Sequence, residues 1–425
     1  MNKVVKPLSS VRKFYLLDYF YVLLESVEKY SDREKIFEYF KDLKQKHGLG
    51  ESKYRKLTSD ETILTKVQLQ KYRYTFEKVI SESLEYDLIF LNEGKIFLTD
   101  FGKKLLYQYQ SEGFKQFTIS IFKLIESKYG AFRYIIELLN HMGKEKSGLF
   151  ILPIYSPSQL EIDKKSIKTT KDIILYSKAL TKKLEYDIQK YLNQKISLES
   201  ENGKLLQSLM FEKLIENNET SVFDPINYNT IIARFRTYWL RYFLQEIYNY
   251  KYYLSSFEIW TYRAKQIGIL HATEFYPYFN GKIVYPTSVI IKSTKSNDFK
   301  KIFEYSDGYS LYIHEPEIEP NQEHFVDSLV SAYFNLRKTN RNYFINLTAL
   351  RELVCYQEKI PEYVFQDFLE NVYHENLSGN LKIQISLEVD RLPEETKANY
   401  LKQEPVVVDG RVRNIIAIDV ARGGL

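Results

Sequence analysis

NTIIARFRTYWLRYFLQEIY (residues 229–248) and SSFEIWTYRAKQIGILHATEFYPYFNGKIVYPTSVII (residues 255–291) are the neighbouring segments from which we predict the fold. In the first segment, four apolar residues recur at the spacing of one helical face: Ile232, Phe235, Trp239 and Phe243. Arg234 and Arg241 lie seven positions apart on another side of this helix. The pattern predicts an amphipathic helix with basic residues away from its apolar face.

The second segment predicts a shorter helix. Ser255 and Glu258 stand in the relation of a capping box, in which two side chains satisfy backbone N–H groups at a helix start. Apolar residues then share one stripe: Phe257, Trp260, Ala264 and Ile267. Since Tyr262, Lys265 and Gln266 fall on the other side, we expect a polar outer face.

A hairpin is predicted after this helix. Two runs rich in β-branched and aromatic residues flank Phe279-Asn280-Gly281, and the second run begins at Lys282. Asn-Gly between such runs is typical of a tight hairpin turn.

The same order of elements occurs twice more in the chain. Near the N-terminus, a helical stripe precedes two short apolar runs around Asn92-Glu93-Gly94, and Thr99 can cap a following helix. The members of that stripe are Tyr72, Phe76, Val79 and Ile80. Near the C-terminus, Asn346 and Pro361 can open two helices, and a last hairpin turns at Asp409-Gly410. In each unit a basic residue follows the glycine of the predicted tip: Lys95, Lys282 and Arg411.

Helix, turn, helix and hairpin in this order resemble the winged-helix superfamily of helix-turn-helix proteins. The resemblance covers about half of the chain and implies an α+β, mainly helical fold with tandem winged-helix-like modules joined by helical bridges. The expected parts are N-terminal helices at 1–62, a first module at 63–110, a helical bridge with a basic helix at 111–227, a central module at 228–292, a linker with a strand, an acidic loop and a helix at 293–344, and a C-terminal module at 345–425.

The resemblance also implies a surface that contacts DNA. In such modules the second helix enters the major groove, and a basic wing tip touches phosphate or the minor groove. The contacts implied for the central module are Tyr262, Lys265 and Gln266 in the groove, Arg263 at its flank, Lys282 on the wing, and Arg234 and Arg241 on the DNA backbone. The contacts implied for the other modules are Lys71, Arg73 and Lys95 in the first, and Arg411 and Arg413 in the third.

The presumed second helix of the third module has a different charge. It contains Glu362, Asp367, Glu370 and Glu375, which would repel phosphate. We therefore expect this module to pack on a protein partner.

Composition sets weak limits on function. The 425 residues suffice for two or three domains, and 60 Lys and Arg against 55 Asp and Glu give a formal net charge of +5. This charge is too mild to predict nucleic-acid binding, so any basic surface must be local. A single cysteine, Cys355, excludes an internal disulfide and a cysteine-cluster zinc site, and it fits a reducing cytoplasm.

Common enzyme motifs are missing from the sequence. It contains no GxxxxGK[ST], GxGxxG, GxSxG or HExxH, and its six histidines lack metal-ligand spacing. Glu185 and Asp187 could belong to a metal-dependent nuclease, but they lie in a lysine-rich run that favours a solvated helix with i,i+4 ion pairs. We therefore predict no catalytic residues, no metal and no cofactor, with a diverged nuclease left as an alternative.

These patterns predict a cytoplasmic, non-catalytic subunit that binds double-stranded DNA within a microbial DNA-transacting assembly, in genome defence, plasmid maintenance or transcriptional control. The alternative is a winged-helix scaffold that bridges an ATPase or nuclease complex without touching DNA. Expected partners are double-stranded DNA, ATPase or nuclease subunits and, as a further candidate, a second copy of the chain. We expect no membrane partner, because no run of about 18 apolar residues occurs.

Overall fold

The computed structural model describes residues 16–47, 66–142, 148–152, 160–161, 170–192, 240, 243–248, 257–279, 281–287, 291–292, 299–304, 306, 308, 310–314, 322–340, 342–389 and 406–420. The fold is α+β and mainly helical with small antiparallel sheets, as predicted. Two units make up the chain. The first comprises Met1–Ser147, Ser255–Pro277 and Val284–Leu425, and the second comprises Gly148–Leu254 and Tyr278–Ile283. The segment predicted as one central module is therefore divided between the two units.

The first elements described in the first unit are α1 (Asp18–Lys29), α2 (Arg33–Lys46) and α3 (Lys66–Glu85). Asp32 caps α2, since its side chain accepts hydrogen bonds from the backbone N–H groups of Glu34 and Lys35, both at 3.1 Å. Aromatic rings join the helices, and the Phe76 ring lies 5.3 Å from that of Phe37. The stripe predicted for α3 is confirmed, because Tyr72, Phe76, Val79 and Ile80 are buried.

The predicted hairpin after α3 is also confirmed. Strands β1 (Ile89–Asn92) and β2 (Lys95–Leu98) pair so that Asn92 faces Lys95, and this register leaves two residues in the turn. Glu93 and Gly94 have φ values of 49° and 75°, the left-handed conformation that tight hairpin turns require. Thr99 then caps α4 (Asp100–Glu112) by accepting a hydrogen bond from the N–H of Gly102 at 3.0 Å.

The predicted helical bridge begins as expected. Helices α5 (Phe114–Tyr129) and α6 (Ala131–Met142) follow α4 directly, and their buried residues include Phe117, Ile121 and Phe132.

The second unit contains three described elements: β3 (Leu149–Ile151), α7 (Thr170–Leu192) and a π-helix (Phe243–Ile247). Helix α7 confirms the helix predicted in the lysine-rich run. The Tyr248 hydroxyl donates to the carbonyl oxygen of Phe150 at 2.8 Å and accepts from its N–H at 3.1 Å. Most of the amphipathic helix predicted at 229–248 lies outside the described residues.

The central stretch gives a helix and two strands: α8 (Phe257–Ile267), β4 (Leu270–Thr273) and β5 (Lys282–Pro286). Strands β4 and β5 are neighbours in one sheet, as predicted, but the connection between them is longer than a tight Asn-Gly turn, because β4 ends at Thr273 and β5 begins at Lys282. At the other end of the pair, the N–H of Thr287 donates to the carbonyl oxygen of Ile269 at 3.2 Å.

A three-stranded sheet follows, formed by β6 (Ile291–Lys292), β7 (Phe299–Glu304) and β8 (Ser310–His314), with β8 in the middle. The strand predicted around residues 308–314 is confirmed. Strand β7 lies in the 293–344 linker, where we predicted a single strand, and Lys300 and Lys301 interrupt its apolar pattern.

The C-terminal part of the first unit contains α9 (Gln322–Asn340), β9 (Ile345–Asn346), α10 (Leu347–Glu358), α11 (Glu362–Leu377), β10 (Ile383–Glu388), β11 (Val406–Val408), β12 (Arg411–Arg413) and β13 (Ile415–Val420). Strands β10, β13 and β9 form one sheet in that order, and β11 with β12 form a hairpin. Asn346 caps α10 as predicted, and Asp409 and Gly410 form the predicted turn with φ values of 51° and 69°.

The N-terminal and C-terminal parts share an order of elements. Among the described residues, each has a helix, a short bridge, two further helices, and then strands. In each, the bridge meets the last strand: the carbonyl oxygen of Ser31 accepts from the N–H of Ile96 in β2 at 3.0 Å, and β9 pairs with β13.

Replacing Asn346 with alanine tests the cap of α10. We expect a loss of about 1 kcal/mol in the free energy of unfolding, because the N–H of Ala349 loses the Asn346 side chain that accepts from it at 2.9 Å. The measurement is urea-induced unfolding of the full chain. Asn371→Ala on the exposed side of α11 is the matched control, and equal effects of the two changes would contradict a capping role.

Candidate nucleic-acid interface

Helix α8, which we expected to face DNA, is buried on several sides. The apolar stripe is as predicted, with Phe257, Trp260 and Ala264 buried. Ile259, Thr261 and Arg263 are buried as well, so the helix is covered on more than its apolar stripe.

Arg263 forms a buried ion pair with Glu82 of α3. Its Nη1 and Nη2 atoms donate to Glu82 Oε1 and Oε2 at 2.6 and 2.8 Å, and both side chains are completely inaccessible to solvent. The Tyr86 hydroxyl also donates to Glu82 Oε1 at 3.1 Å, and the Trp260 ring centroid lies 4.9 Å from the guanidinium carbon. Burial alone would lower the pKa of Arg263, but the Glu82 carboxylate outweighs it and raises that pKa.

A second, largely buried network begins two residues further along α8, at Lys265. Lys265 Nζ donates to Glu362 Oε1 at 2.9 Å, and Arg351 Nη2 lies 3.1 Å from the same oxygen. Arg351 Nη2 also donates to Glu352 Oε1 at 2.7 Å, and the other oxygen of Glu352 lies 2.7 Å from His271 Nε2. This network joins α8 and β4 to α10 and α11.

The charges of the second network compensate one another. Burial would raise the pKa of the Glu352 carboxyl, but His271 and then Arg351 outweigh it, so this pKa is lowered. His271, Glu352 and Glu362 place ligand atoms within 4.8 Å of one another, which could suit a metal ion. Since Lys265 and Arg351 already neutralise both carboxylates, we assign the group as an ion-pair network.

These contacts overturn the expected exposure of the α8 polar face. Arg263 has no surface that a phosphate could reach, and Lys265 is committed to Glu362. The Gln266 side chain accepts a hydrogen bond from the N–H of Leu17 at 2.9 Å, and Tyr262 is half-buried. The error has a geometric cause: Arg263 is about 60° from Trp260 around the helix axis, so it borders the buried stripe.

The start of α11 is also engaged within the first unit. Besides Glu362, the next residue, Tyr363, lies against Gly268 at the end of α8, where a Cβ atom would come within 2.6 Å of the tyrosine hydroxyl. Gly268 has a φ of 82°, so glycine is required there for both space and conformation. The third module thus packs on elements of its own chain.

Helix α3 has an exposed basic surface at its start, near a predicted contact. Its first three turns (residues 66–76) contain two lysines and one arginine and no acidic residue. The exposed side chains of this segment are Lys66, Val67, Leu69, Gln70, Lys71 and Tyr74. We did not include Lys66 and Gln70 in the expected contacts, although both lie on the same helix before its buried stripe.

The predicted residues of the first module lie in different environments. Lys71 is exposed on α3, and Lys95 is exposed beside the β1–β2 turn. Arg73 instead forms a bidentate ion pair with Glu34 of α2, with both bonds at 2.6 Å, and its guanidinium lies over the Phe37 ring. The Arg73 guanidinium is therefore less available to bind a DNA phosphate.

The remaining predicted contacts are scattered. Lys282 is half-buried at the start of β5, and Arg411 is exposed beside the β11–β12 turn. Arg413 donates to the carbonyl oxygen of Leu387 at 3.0 Å. Arg234 and Arg241 lie outside the described residues.

The two carboxylates named above as a nuclease candidate, Glu185 and Asp187, lie on α7. Asp187 lies on α7 and is buried, with Lys183 Nζ at 3.3 Å in the predicted i,i+4 relation. Glu370, His374 and Asp409 cluster at the surface, where His374 Nε2 lies 3.1 Å from Asp409 Oδ1. This second cluster joins α11 to the β11–β12 turn.

Comparison with family models, with curated proteins and with solved structures finds no match to this chain. Across the residues that the structure describes, none of the helices combines the length and apolar character needed to cross a membrane. Function must therefore be inferred from the geometry and chemistry above.

Replacing Arg263 with methionine tests the buried ion pair. We expect a loss of about 3–5 kcal/mol in the free energy of unfolding, because the Glu82 carboxylate would remain buried without its partner. The measurement is urea-induced unfolding of the full chain.

The double variant Arg263→Met with Glu82→Leu is the control. It should recover much of the lost stability, because two apolar side chains can replace a buried ion pair at little cost. A single variant that unfolds at the parental urea concentration would contradict the structural role of the pair.

Proposed function

We propose that this chain is a cytoplasmic, non-catalytic subunit that binds double-stranded DNA, and that the first turns of α3 make the contact. The observation that carries the proposal is the exposed start of α3, where Lys66, Gln70 and Lys71 lie together on a helix that precedes a hairpin. We therefore assign the DNA contact to the start of α3 and not to α8, as we had first expected.

The order of elements supports a winged-helix-like module at this place. Helices α1, α2 and α3 precede the β1–β2 hairpin, and Ser31 bridges to β2. In a helix-turn-helix protein, the N-terminal residues of the second helix contact base edges while the first helix crosses the DNA backbone. Helix α3 would take the groove position here.

The side chains at the start of α3 have suitable chemistry. Lysines neutralise phosphates or donate to guanine, and a glutamine amide can bond both the acceptor and the donor of adenine. The N-terminus of a 20-residue helix adds a positive partial charge that favours phosphate. In contrast, the start of α11 is acidic and engaged by Lys265, which supports a packing role for the third module.

The buried charges support the non-catalytic part of the proposal. Glu82, Glu352 and Glu362 each accept from a basic side chain at 3.1 Å or less. Such ion pairs stabilise one arrangement of helices, and they occupy the oxygens that an acid or base catalyst would need.

A protein scaffold is the second candidate, and a specific observation favours it. Val67, Leu69 and Tyr74 are 62%, 40% and 42% exposed, and they alternate with the basic residues of α3. Exposed apolar groups of this kind are common where proteins bind one another. The same surface could therefore hold a partner of a DNA-transacting assembly, such as an ATPase or nuclease subunit.

Replacing Lys66 and Lys71 together with alanine tests DNA binding by α3. We expect weaker binding to duplex DNA and a salt dependence reduced by about two units on a double-logarithmic plot, because each phosphate contact contributes about 0.9. The measurement is fluorescence anisotropy of a labelled blunt duplex across a salt series.

The matched control is Lys338→Ala with Lys382→Ala, which removes the same charge from two exposed positions in the C-terminal part. Unchanged affinity and salt dependence in the α3 variant would contradict the assignment to this helix. If the parent chain does not bind duplex DNA at low salt, this result would favour the scaffold function over DNA binding.

A further inference from the structure

The outer face of the β1–β2 hairpin combines aromatic, amide and basic side chains. The strand register pairs Phe90 with Phe97 and Asn92 with Lys95. Side chains alternate between the two faces of a strand, so these four residues share one face. The opposite face holds Ile89, Ile96 and Leu98, which are buried, and Leu91 near the turn. One face of the hairpin therefore packs in the hydrophobic core, and the other face is directed toward solvent.

Two phenylalanine rings form a platform on this outer face. The centroids of Phe90 and Phe97 are 5.6 Å apart with an interplanar angle of 29°, a stacked arrangement. Phe90 is 45% exposed, while Phe97 is partly covered. A cross-strand aromatic pair stabilises a hairpin, but that role does not require an exposed ring. An exposed aromatic face can also receive a nucleobase, since every base has a flat π surface.

Polar groups suited to a nucleotide lie beside the rings. Lys95 and Phe97 are two residues apart on β2, about 7 Å along the strand, and both point to the outer face. The exposed lysine can neutralise a phosphate while a base stacks on the rings, and the Asn92 amide can donate to and accept from a base edge. A positive charge next to an aromatic platform is typical of sites for single-stranded nucleic acid.

Base pairing decides which nucleic acid this face can bind. Inside a duplex the faces of the bases are covered by their neighbours in the stack, so away from the duplex ends an aromatic ring can stack only where bases are unpaired. We propose that the outer face of the β1–β2 hairpin binds unpaired bases of a single-stranded DNA extension, next to a duplex held by α3. This inference rests on the proposed function and narrows it to duplexes that carry a single-stranded tail.

The experiment compares a blunt duplex with the same duplex bearing a short oligothymidine tail, by fluorescence anisotropy with the full chain. The parent should bind the tailed duplex more tightly. Phe90→Ala should lower affinity for the tailed duplex about tenfold and leave affinity for the blunt duplex unchanged. Leu91→Ala, on the opposite face of the same hairpin and 53% exposed, is the matched control and should retain the parental preference.

A second variant separates stacking from any effect on folding. Phe90→Trp keeps an aromatic ring, so it should retain the tail preference, and the tail should quench the fluorescence of the new tryptophan. Urea-induced unfolding of Phe90→Ala should match that of Leu91→Ala within about 1 kcal/mol, as expected for exposed strand positions.

The possible results separate this inference from the proposed function. Binding of the blunt duplex without a preference for the tail would overturn the inference and leave duplex binding by α3 standing. A tail preference that survives in Phe90→Ala would overturn the assignment to the hairpin face. Binding of oligothymidine alone, without any binding of duplex and with loss in Phe90→Ala, would support the hairpin face while overturning duplex binding. Failure to bind either DNA would overturn both.

Discussion

The buried ion pair between Glu82 and Arg263 is the interaction on which the first unit depends most directly. It joins α3 to α8, which are 181 residues apart in the chain at these positions. Both charged groups have lost all contact with solvent, and such a loss is tolerated where the geometry supplies compensating interactions. Two short parallel hydrogen bonds, a third from Tyr86 and the nearby Trp260 ring provide them. Because a bidentate contact also sets the orientation of the Glu82 side chain, it restricts the rotation of α3 about its own axis.

A second set of charges holds the other side of α8. Lys265, Arg351 and His271 bind the carboxylates of Glu352 and Glu362, and they attach the start of α11 to the end of α8. Together the two networks decide which surfaces remain for other molecules. The polar face of α8 and the start of α11 are occupied by contacts within the unit, whereas the start of α3 and the outer face of the β1–β2 hairpin are exposed. The proposals of duplex binding and of tail binding both concern these exposed surfaces.

Local features were predictable where a few neighbouring residues settle the conformation. Asn346 and Thr99 cap helices as expected, since a cap needs one side chain and the first N–H groups of the helix. Asn92-Glu93-Gly94 and Asp409-Gly410 form tight turns, in which Gly94, Asp409 and Gly410 are residue types that tolerate positive φ. Two local expectations were wrong. Lys300 and Lys301 interrupt the apolar pattern of β7, so this segment was not predicted as a strand. The Asn-Gly pair near residue 280 did not mark the end of β4, which stops at Thr273. Apolar pattern is a weak guide when strand pairing stabilises a polar segment.

The sequence by itself determined the α+β class, most helix positions, the apolar stripes and the two tight turns, because each depends on spacing along one element. It did not determine which charged residues meet one another. Arg263 and Lys71 are both basic residues outside an apolar stripe, yet one lies in a buried ion pair and the other is exposed. Only the tertiary structure separates them, since the partner of Arg263 comes from a distant helix and the low polarity of the interior makes that pairing obligatory. The placement of the candidate DNA surface on α3 follows from that distinction.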